Sequence, residues 1–392
     1  MTCIIFGDAF TFPDGDASTN RVYTYARGFL EHGSDVHVVC FRNTYLPVSS
    51  GEKEGIRYYH PFNRTKRSSS FILRRIHSAG KFARTCKLLR QINRNNKKAL
   101  ILCYTKSLST QLFAFMLSRI FGFFMVLERS EHPFKDYKSR IALRARGVIR
   151  LAFEIRFTDL IFCISDYLIE FYKTGGAGKE KLFKVPSTVD TDRFVGSFER
   201  PMMRKYICYC GSLTILKDGV DILIKSYAEI AERFKDMDLI LVGRADTMED
   251  EKYFRDLVDS FGLKERIHFT GKLSRNKIPA YLSHAELLTL ARPKSIVADA
   301  GFPSKVTEYL ATGRPVVVTS VGEIPVYLKD NFNAFLAEPG SIESFAERMA
   351  FVLENKDFAE SAGLKGKELA AGVFNYRNQV GNIIAFLKSK NL

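Results

Sequence analysis

Several features that are common in proteins are missing or scarce in this chain of 392 residues. It has no tryptophan, and its seven cysteines form no Cys-x-x-Cys pair. This pattern argues against a disulfide framework and a zinc site, so we expect free thiols and a reducing compartment. No secretion signal is visible at the start. The most apolar stretch, 112–127, is interrupted by Arg119 and Gly122, which predicts a helix followed by a strand and excludes a membrane span.

Common ligand motifs are absent as well. The chain contains no Gly-x-Gly-x-x-Gly, no Gly-x-x-x-x-Gly-Lys-Ser/Thr and no Gly-x-Ser-x-Gly. Asp-x-Asp occurs at 14–16, 190–192 and 236–238, but none of these pairs has clustered partners. We therefore predict no metal site.

Acidic residues are missing from 55–127, and the excess of basic over acidic residues lies almost entirely in the first half of the chain. Residues 1–196 hold 32 Lys and Arg against 17 Asp and Glu, whereas residues 197–392 hold 27 against 26. The stretch 64–98 carries twelve of the basic residues, with apolar residues at helical spacing between them. It predicts a basic amphipathic helix that lies on an anionic membrane surface. The alternative is a helix packed on the first domain with a solvated basic face; no nucleic-acid-binding module is apparent.

Short apolar runs alternate with amphipathic helices throughout, which predicts α/β architecture with parallel sheets. A fresh series of strands begins after the loop 195–201, so we expect two doubly wound domains, 1–196 and 197–374, and a last helix in 375–392. The predicted strands are 3–6, 36–41, 100–103, 123–127, 160–164 and 182–185 in the first half, and 206–210, 239–242, 267–269, 287–290, 316–319 and 334–337 in the second.

The segment 301–318 is the most informative part of the sequence. Pro303 and Ser304 open a predicted helix that Gly313 closes, ahead of a β-branched strand. Free N–H groups at such a helix start can bind a phosphate, and Glu308, one turn inside, can accept hydrogen bonds from a ribose diol. Together they predict a nucleotide diphosphate site. The alternative is a loop-helix-strand unit with a solvated glutamate.

This segment resembles the donor site of the retaining nucleotide-sugar glycosyltransferases of family 4 (glycosyl transferases group 1). That pattern is Glu, seven residues, Glu, then a small-residue helix end and Gly-x-Pro-Val-Val. Glu308 matches the second glutamate, whereas the first position falls on Ala300, beside Asp299. The resemblance implies the GT-B fold, with two Rossmann-like domains facing a cleft and a C-terminal helix crossing back to the first. It extends over nearly the whole chain, through similar segments at 186–194, 211–221, 241–243 and 269–271.

The resemblance also implies roles for individual residues around the donor. Lys217 matches the family's diphosphate lysine, and the partner arginine falls on Ser212, so Lys305 and the Ser304 N–H are expected to contribute. Arg292 and Arg244 are weaker candidates. The nucleobase is expected near Gly271 and Lys272. For Lys217 the alternative is a solvated surface residue.

In the first domain the resemblance points to two loops. Gly15 matches a glycine-rich loop between the donor phosphates and the acceptor, and Asp16 is expected to meet acceptor hydroxyls. The loop 128–133 corresponds to one near the transferred sugar and makes Glu131 and His132 candidates for the reacting centre. Ordinary turns are the alternative at both places.

The sequence as a whole predicts a cytoplasmic, peripheral membrane glycosyltransferase of the bacterial surface-polysaccharide type. Its donor would be a UDP- or GDP-linked sugar, its acceptor a lipid-linked saccharide, and it would need no cofactor or metal. Two alternatives stay open: a non-catalytic nucleotide-sugar-binding protein of the same fold, motivated by Ala300 and Ser212, and a sugar-nucleotide epimerase of that fold.

Overall fold

The computed structural model describes residues 1–94, 98–133 and 141–390. Lys97 of the predicted basic stretch therefore lies outside the described residues. The chain forms two compact units, Met1–Thr188 with Tyr376–Leu392, and Val189–Asn375. No helix within the described residues combines the length and apolar character needed to span a membrane.

The first unit is built on an eight-stranded sheet in the order β3-β4-β2-β1-β5-β6-β7-β8. Its strands pair in parallel, except that β3 and β4 are antiparallel. The central strands are continuous buried apolar runs because helices cover both faces of such a sheet. The strands are β1 (Thr2–Gly7), β2 (Asp35–Cys40), β3 (Ser50–Lys53), β4 (Ile56–Tyr59), β5 (Ala99–Cys103), β6 (Phe124–Arg129), β7 (Leu160–Cys163) and β8 (Leu182–Lys184).

Five helices of the first unit alternate with these strands. Serine side chains at 70, 107 and 165 cap three of them by accepting a hydrogen bond from a first-turn N–H. The helices are α1 (Ala17–Glu31), α2 (Phe71–Asn93), α3 (Leu108–Phe121), α4 (Ile141–Phe157) and α5 (Asp166–Thr174).

The second unit has a six-stranded parallel sheet in the order β11-β10-β9-β12-β13-β14. Its strands are β9 (Lys205–Cys210), β10 (Met237–Val242), β11 (Ile267–Gly271), β12 (Leu287–Leu290), β13 (Val316–Thr319) and β14 (Phe335–Ala337). Its helices are α6 (Ile215–Asp218), α7 (Val220–Ala231), α8 (Met248–Ser260), α9 (Ile278–Ser283), α10 (Ile296–Asp299), α11 (Ser304–Thr312), α12 (Ile324–Tyr327), α13 (Ile342–Glu354) and α14 (Lys356–Gly372).

The last helix, α15 (Tyr376–Ser389), belongs to the first unit and packs against α1. Gly28 makes this approach possible, since a Cβ there would lie 2.6 Å from Val380 Cγ2. The Tyr376 hydroxyl donates to Glu31 Oε1 at 2.7 Å, and the Phe386 ring stacks on Phe183 at 4.2 Å. The chain therefore completes the core of the first unit with its final helix.

The prediction of two parallel α/β units is confirmed, and each predicted strand is present within a few residues of its expected bounds. The hairpin of β3 and β4 was not predicted, because Ser50–Lys53 has no apolar alternation to indicate a strand. We expected the units to divide between 196 and 197, whereas they divide between 188 and 189. The Val189 N–H donates to the Phe374 carbonyl at 2.8 Å, which joins the linker to the second unit before the predicted boundary.

Helix α2 is present, but its apolar stripe is only partly covered. Leu89 and Ile92 are buried near its C-terminal end, whereas Ile72 and Ile76 are 69% and 58% exposed. The apolar stripe is therefore covered near the C-terminal end of α2 and exposed in its first turns. Spacing in the sequence shows that a helix has an apolar face but not how much of that face a neighbour covers.

Candidate functional site

Helix α11 is formed by the segment that stood out in the sequence. Pro303 precedes it in an extended conformation, and Gly313 ends it with a φ of 80°. Val306 and Leu310 are fully buried on its inner face. The helix follows the end of β12, so its N-terminus lies at the carboxyl edge of the second sheet, where open α/β sheets bind their ligands.

Glu308 lies one turn into α11 and forms an ion pair with Arg193. The Arg193 Nη1 donates to Glu308 Oε1 at 2.6 Å, and the two side chains are 14% and 18% exposed. Arg193 Nη2 also donates to the Arg275 carbonyl at 3.2 Å, in the loop that follows β11. The predicted ribose carboxylate is thus held at the sheet edge by a residue from the 186–194 segment.

Lys305, in the first turn of α11, is buried beside Asp218. Its Nζ lies 2.8 Å from Asp218 Oδ2 and donates to the Tyr209 hydroxyl at 2.9 Å. Burial lowers the pKa of Lys305, and Asp218 opposes that effect. Burial would raise the pKa of Asp218, but Lys305, Arg292 and Lys217 together hold it below its ordinary value. Three cationic side chains therefore lower the pKa of one carboxylate.

The strand ends beside this cluster are shaped by glycine. A Cβ on Gly211 would lie 2.4 Å from Lys305 Nζ, and one on Gly243 would lie 1.8 Å from the Gly211 carbonyl oxygen. The Ser212 carbonyl accepts a hydrogen bond from Tyr209 at 2.6 Å. These positions keep the backbone close to the cationic side chains.

The structure brings most of the predicted donor residues to one edge of the second unit. Ser212 and Lys217 follow β9, and Gly271, with Lys272 after it, ends β11. The Gly271 carbonyl accepts from the Gly243 N–H at 3.1 Å. Ser304, Lys305 and Glu308 lie on the first turns of α11. These placements leave the individual roles as predictions.

The candidates of the first unit lie after β1 and β6. A Cβ on Gly15 would contact the Thr11 and Thr19 hydroxyls, so this turn is tightly packed. Asp16 is the N-cap residue of α1, but its side chain makes no capping hydrogen bond.

Glu131 and His132 have partners of different kinds. Glu131 pairs with Lys106 at 2.7 Å, across the ends of β5 and β6. The His132 ring is buried against α5, with its centroid 5.0 Å from that of Phe171 and 5.9 Å from that of Tyr167. This packing fixes the position of the imidazole.

The loop predicted to begin at Glu128 begins later, because Glu128 and Arg129 belong to β6 and are buried. Glu128 accepts from Arg21 at 2.7 Å and from the Tyr25 hydroxyl at 2.9 Å. Arg21 also donates to the carbonyls of Val185 and Pro186. These charges are structural and hold α1 to the sheet.

Two residues at the sheet edge were missed by sequence reasoning. Asp218 adjoins Lys217, and Arg193 lies inside the segment 186–194, so both were visible in motifs already noted. Nothing in the spacing showed that they pair with Lys305 and Glu308. Arg292, a weaker candidate, is 4% exposed and contributes to the electrostatics at Asp218.

The Asp-x-Asp pairs have structural partners. Asp238 pairs with Arg204, Arg266 and His268, each at 3.0 Å. Asp190 Oδ1 accepts from the Asp192 N–H at 3.3 Å and caps a short 3-10 turn. Across residues 1–94, 98–133 and 141–390, no group of three or more His, Cys, Asp or Glu side chains could hold a metal ion.

Solved structures identify the fold as GT-B. Anabaena HepE in complex with UDP superposes with a TM-score of 0.71 at 16% identity, covering 99% of this chain and 100% of that one. Sucrose-phosphate synthase from Thermosynechococcus elongatus superposes with a TM-score of 0.76 at 16% identity, covering 99% and 98%. At these identities the likeness shows the fold alone.

The sequence comparisons indicate the class of protein to which this chain is similar. Residues 190–369 match the model of the family described as Glycosyl transferases group 1. The GDP-mannose-dependent alpha-(1-6)-phosphatidylinositol monomannoside mannosyltransferase of Mycobacterium tuberculosis is 24% identical over 241 residues. That match covers 59% of this chain and 62% of the relative, so it spans less than two thirds of the relative's length.

Proposed function

We propose that this protein is a glycosyltransferase that takes a sugar from a nucleotide diphosphate sugar. The observation that carries the proposal is the edge formed by α11, where Lys305 and Glu308 lie one turn apart among further cationic side chains. This edge lies inside the segment that matches the model of the group 1 glycosyltransferases. The donor is UDP- or GDP-linked; HepE was solved with UDP, and the mycobacterial relative is named for GDP-mannose.

The diphosphate would bind at the start of α11. Lys305 and Lys217 supply positive charge, and the start of the nine-residue helix, with the Ser304 N–H, adds the positive end of the helix dipole. Asp218 offsets one of the cations, so Arg292 helps to keep the cluster positive in place of the arginine replaced by Ser212. Gly211 leaves room for the Lys305 ammonium beside the strand end, and Gly243 allows the close approach of the Gly211 carbonyl.

The ribose would bind to Glu308 and the base beside Gly271 and Lys272. A carboxylate has two oxygens and about four lone-pair directions, so it can accept from an arginine and from hydroxyls together. In the transfer, the bond between the anomeric carbon and the β-phosphate oxygen breaks, and the acceptor hydroxyl oxygen bonds to that carbon. The hydroxyl proton passes to the departing diphosphate, whose charge the lysines stabilise. We further propose that the anomeric configuration is retained and that no metal is required.

His132, Glu131 and Asp16 are our candidates for contacts with the transferred sugar and the acceptor. The fixed imidazole of His132 can donate to a sugar oxygen, and Asp16 can accept from an acceptor hydroxyl.

We propose that the acceptor is a lipid-linked saccharide, as in capsule, exopolysaccharide or O-antigen synthesis, and that the protein works at the inner face of the cytoplasmic membrane. The support comes from the first turns of α2. Phe71, Ile72 and Ile76 are 61%, 69% and 58% exposed, beside the basic residues Arg74 and Arg75. Exposed apolar side chains that alternate with basic ones on one helix are typical of binding in the interface of an anionic leaflet.

One observation favours a second function, a protein that binds the nucleotide sugar without transfer. Ala300, at the position of the family's first glutamate, is fully buried, so the core occupies a place where that pattern has a carboxylate.

Two measurements, made one after the other, test these two functions. Thermal shift with UDP, GDP and ADP should raise the unfolding midpoint for the true donor nucleotide, because a ligand that binds only the folded state stabilises it. Release of the diphosphate from UDP-glucose or GDP-mannose is then measured with and without a bacterial lipid-linked saccharide fraction. Acceptor-dependent release supports the transferase. Binding without release, in the presence of that fraction, would support the binding protein instead.

A further inference from the structure

Arg193 is fixed in place before it reaches Glu308. It lies in the 3-10 turn Thr191–Phe194, which Asp190 caps. Asn375 Nδ2 donates to the Thr191 hydroxyl at 3.2 Å, and Phe194 is buried. The turn is therefore anchored to the second unit on both sides of Arg193.

The guanidinium contacts two separate elements at once. Nη1 donates to Glu308 Oε1 on α11, and Nη2 donates to the carbonyl of Arg275 in the loop after β11. The planar fork of an arginine can make two such bonds in fixed directions, which a lysine ammonium does not reproduce. Arg193 thereby fixes the distance between α11 and the loop that carries Lys272.

A glutamate near a helix start loses side-chain entropy when a ligand orders it. A carboxylate already held at one oxygen by a fixed arginine has lost this entropy before the ligand binds. Preorganisation of this kind strengthens binding without a new contact to the ligand.

We propose that Arg193 is a positioning residue that holds the Glu308 carboxylate ready for the ribose hydroxyls of the donor. This inference rests on the proposed role of Glu308 in the donor site. It predicts that Arg193 affects affinity only for nucleotides that possess those hydroxyls.

The test compares each of UDP and GDP with its 2′,3′-dideoxy counterpart by isothermal titration calorimetry. Wild-type protein should bind the ribose form of its nucleotide about tenfold or more tightly than the dideoxy form. Arg193→Ala should bring this ratio down to that of Glu308→Ala while leaving dideoxy binding unchanged. Arg193→Lys should give an intermediate ratio, since it keeps the charge and loses the fork.

Arg233→Ala is the matched control, because Arg233 pairs with Glu354 on the surface of the same unit, away from α11. In this variant, the ratio of affinities for the ribose and dideoxy nucleotides should equal that of the wild type. If Arg193→Ala does not fold, Arg193→Gln and Arg193→Lys take its place in the affinity measurements. An unchanged ratio in a folded Arg193 variant, or tighter binding, would overturn the positioning role while Glu308 keeps its own. If the wild type binds the ribose and dideoxy forms equally, Glu308 does not contact the ribose, and both inferences fail.

Discussion

One arginine–glutamate pair at Glu154 in the first unit and one at Glu308 in the second differ in their surroundings. Glu154 in the first unit is fully buried and accepts hydrogen bonds from Arg129, Arg150, Tyr172 and Gln111. Glu308 in the second unit is partly exposed at a helix start, and Arg193 holds it. The first pair satisfies a buried charge and joins α3, α4, α5 and β6. The second places a carboxylate where a ligand can reach it.

The comparison shows why an ion pair alone does not indicate a site. Burial strengthens each hydrogen bond to Glu154. The hydrogen bonds from its partners are needed to keep the ionised carboxylate inside the protein. Substitution should therefore affect stability at Glu154 and ligand affinity at Glu308.

The largest effect is expected from Glu154→Gln. Removal of one partner of a buried pair leaves uncompensated charge, here on Arg129 and Arg150, and costs about 3–5 kcal/mol. Denaturant unfolding followed by circular dichroism should show the loss. Glu354→Gln, whose carboxylate pairs with Arg233 at the surface, is the control and should change stability by less than about 1 kcal/mol. Equal losses in the two variants would contradict the comparison.

The ion pair at Glu154 also predicts how the free energy of unfolding changes in acid. Burial would raise the pKa of Glu154, but Arg129 and Arg150 hold it below its ordinary value. The stability gained from a lowered pKa is complete above the pKa of the unfolded chain and is lost as pH falls through the folded value. The unfolding free energy of wild type should fall below about pH 4.5, and Glu154→Gln should flatten that fall. A parallel fall in the variant would assign the acid response to other carboxylates.

The second-largest effect is expected on membrane binding, when basic residues of α2 are reversed in charge. Exposed Arg75, Lys87 and Arg90 on α2 should contribute about 1 kcal/mol each to binding an anionic leaflet. Their joint reversal to Glu should release the protein from phosphatidylglycerol vesicles in co-sedimentation, as high salt should. Arg84 is kept, because it donates to the carbonyls of Pro61 and Phe62.

A matched control makes the same change in net charge on the second unit. Lys264, Lys356 and Lys367 are exposed there, and their reversal should leave vesicle binding nearly unchanged. Phe71→Ser with Ile72→Ser should weaken binding through the apolar part of α2. Equal binding of the wild type to neutral and anionic vesicles would remove the support for a membrane-associated acceptor.

A smaller effect is expected from Glu308→Ala. The loss of hydrogen bonds to a charged group should weaken nucleotide diphosphate binding about 10- to 100-fold, with little change in the unfolding midpoint. Calorimetry with UDP and GDP measures it, and Glu354→Ala is the control at an exposed carboxylate. Unchanged affinity in the folded variant would take Glu308 out of the site.

Local features of both units could be predicted from the sequence, and long-range pairs could not. Pro303 and Gly313 define α11 because backbone preferences act within a few residues. The Arg193–Glu308 pair joins residues 115 positions apart, and no spacing rule reports such a contact. Glu128 was placed in a loop because charge at a strand end is typical of the surface, whereas Arg21 and Tyr25 satisfy it in the core.

The smallest effect expected is that of a chelator, which should leave transfer unchanged. In the proposed mechanism, Lys217, Lys305 and the N-terminus of α11 would supply the positive charge that a divalent ion would otherwise provide to the departing diphosphate. Diphosphate release is therefore measured in excess EDTA, with Lys305→Met as the comparison, since that variant removes protein charge rather than metal. Release should persist with EDTA and fall in the variant. Loss of activity in EDTA with rescue by Mg²⁺ or Mn²⁺ would show that the charge of the second unit does not suffice, and that an ion takes part in the transfer.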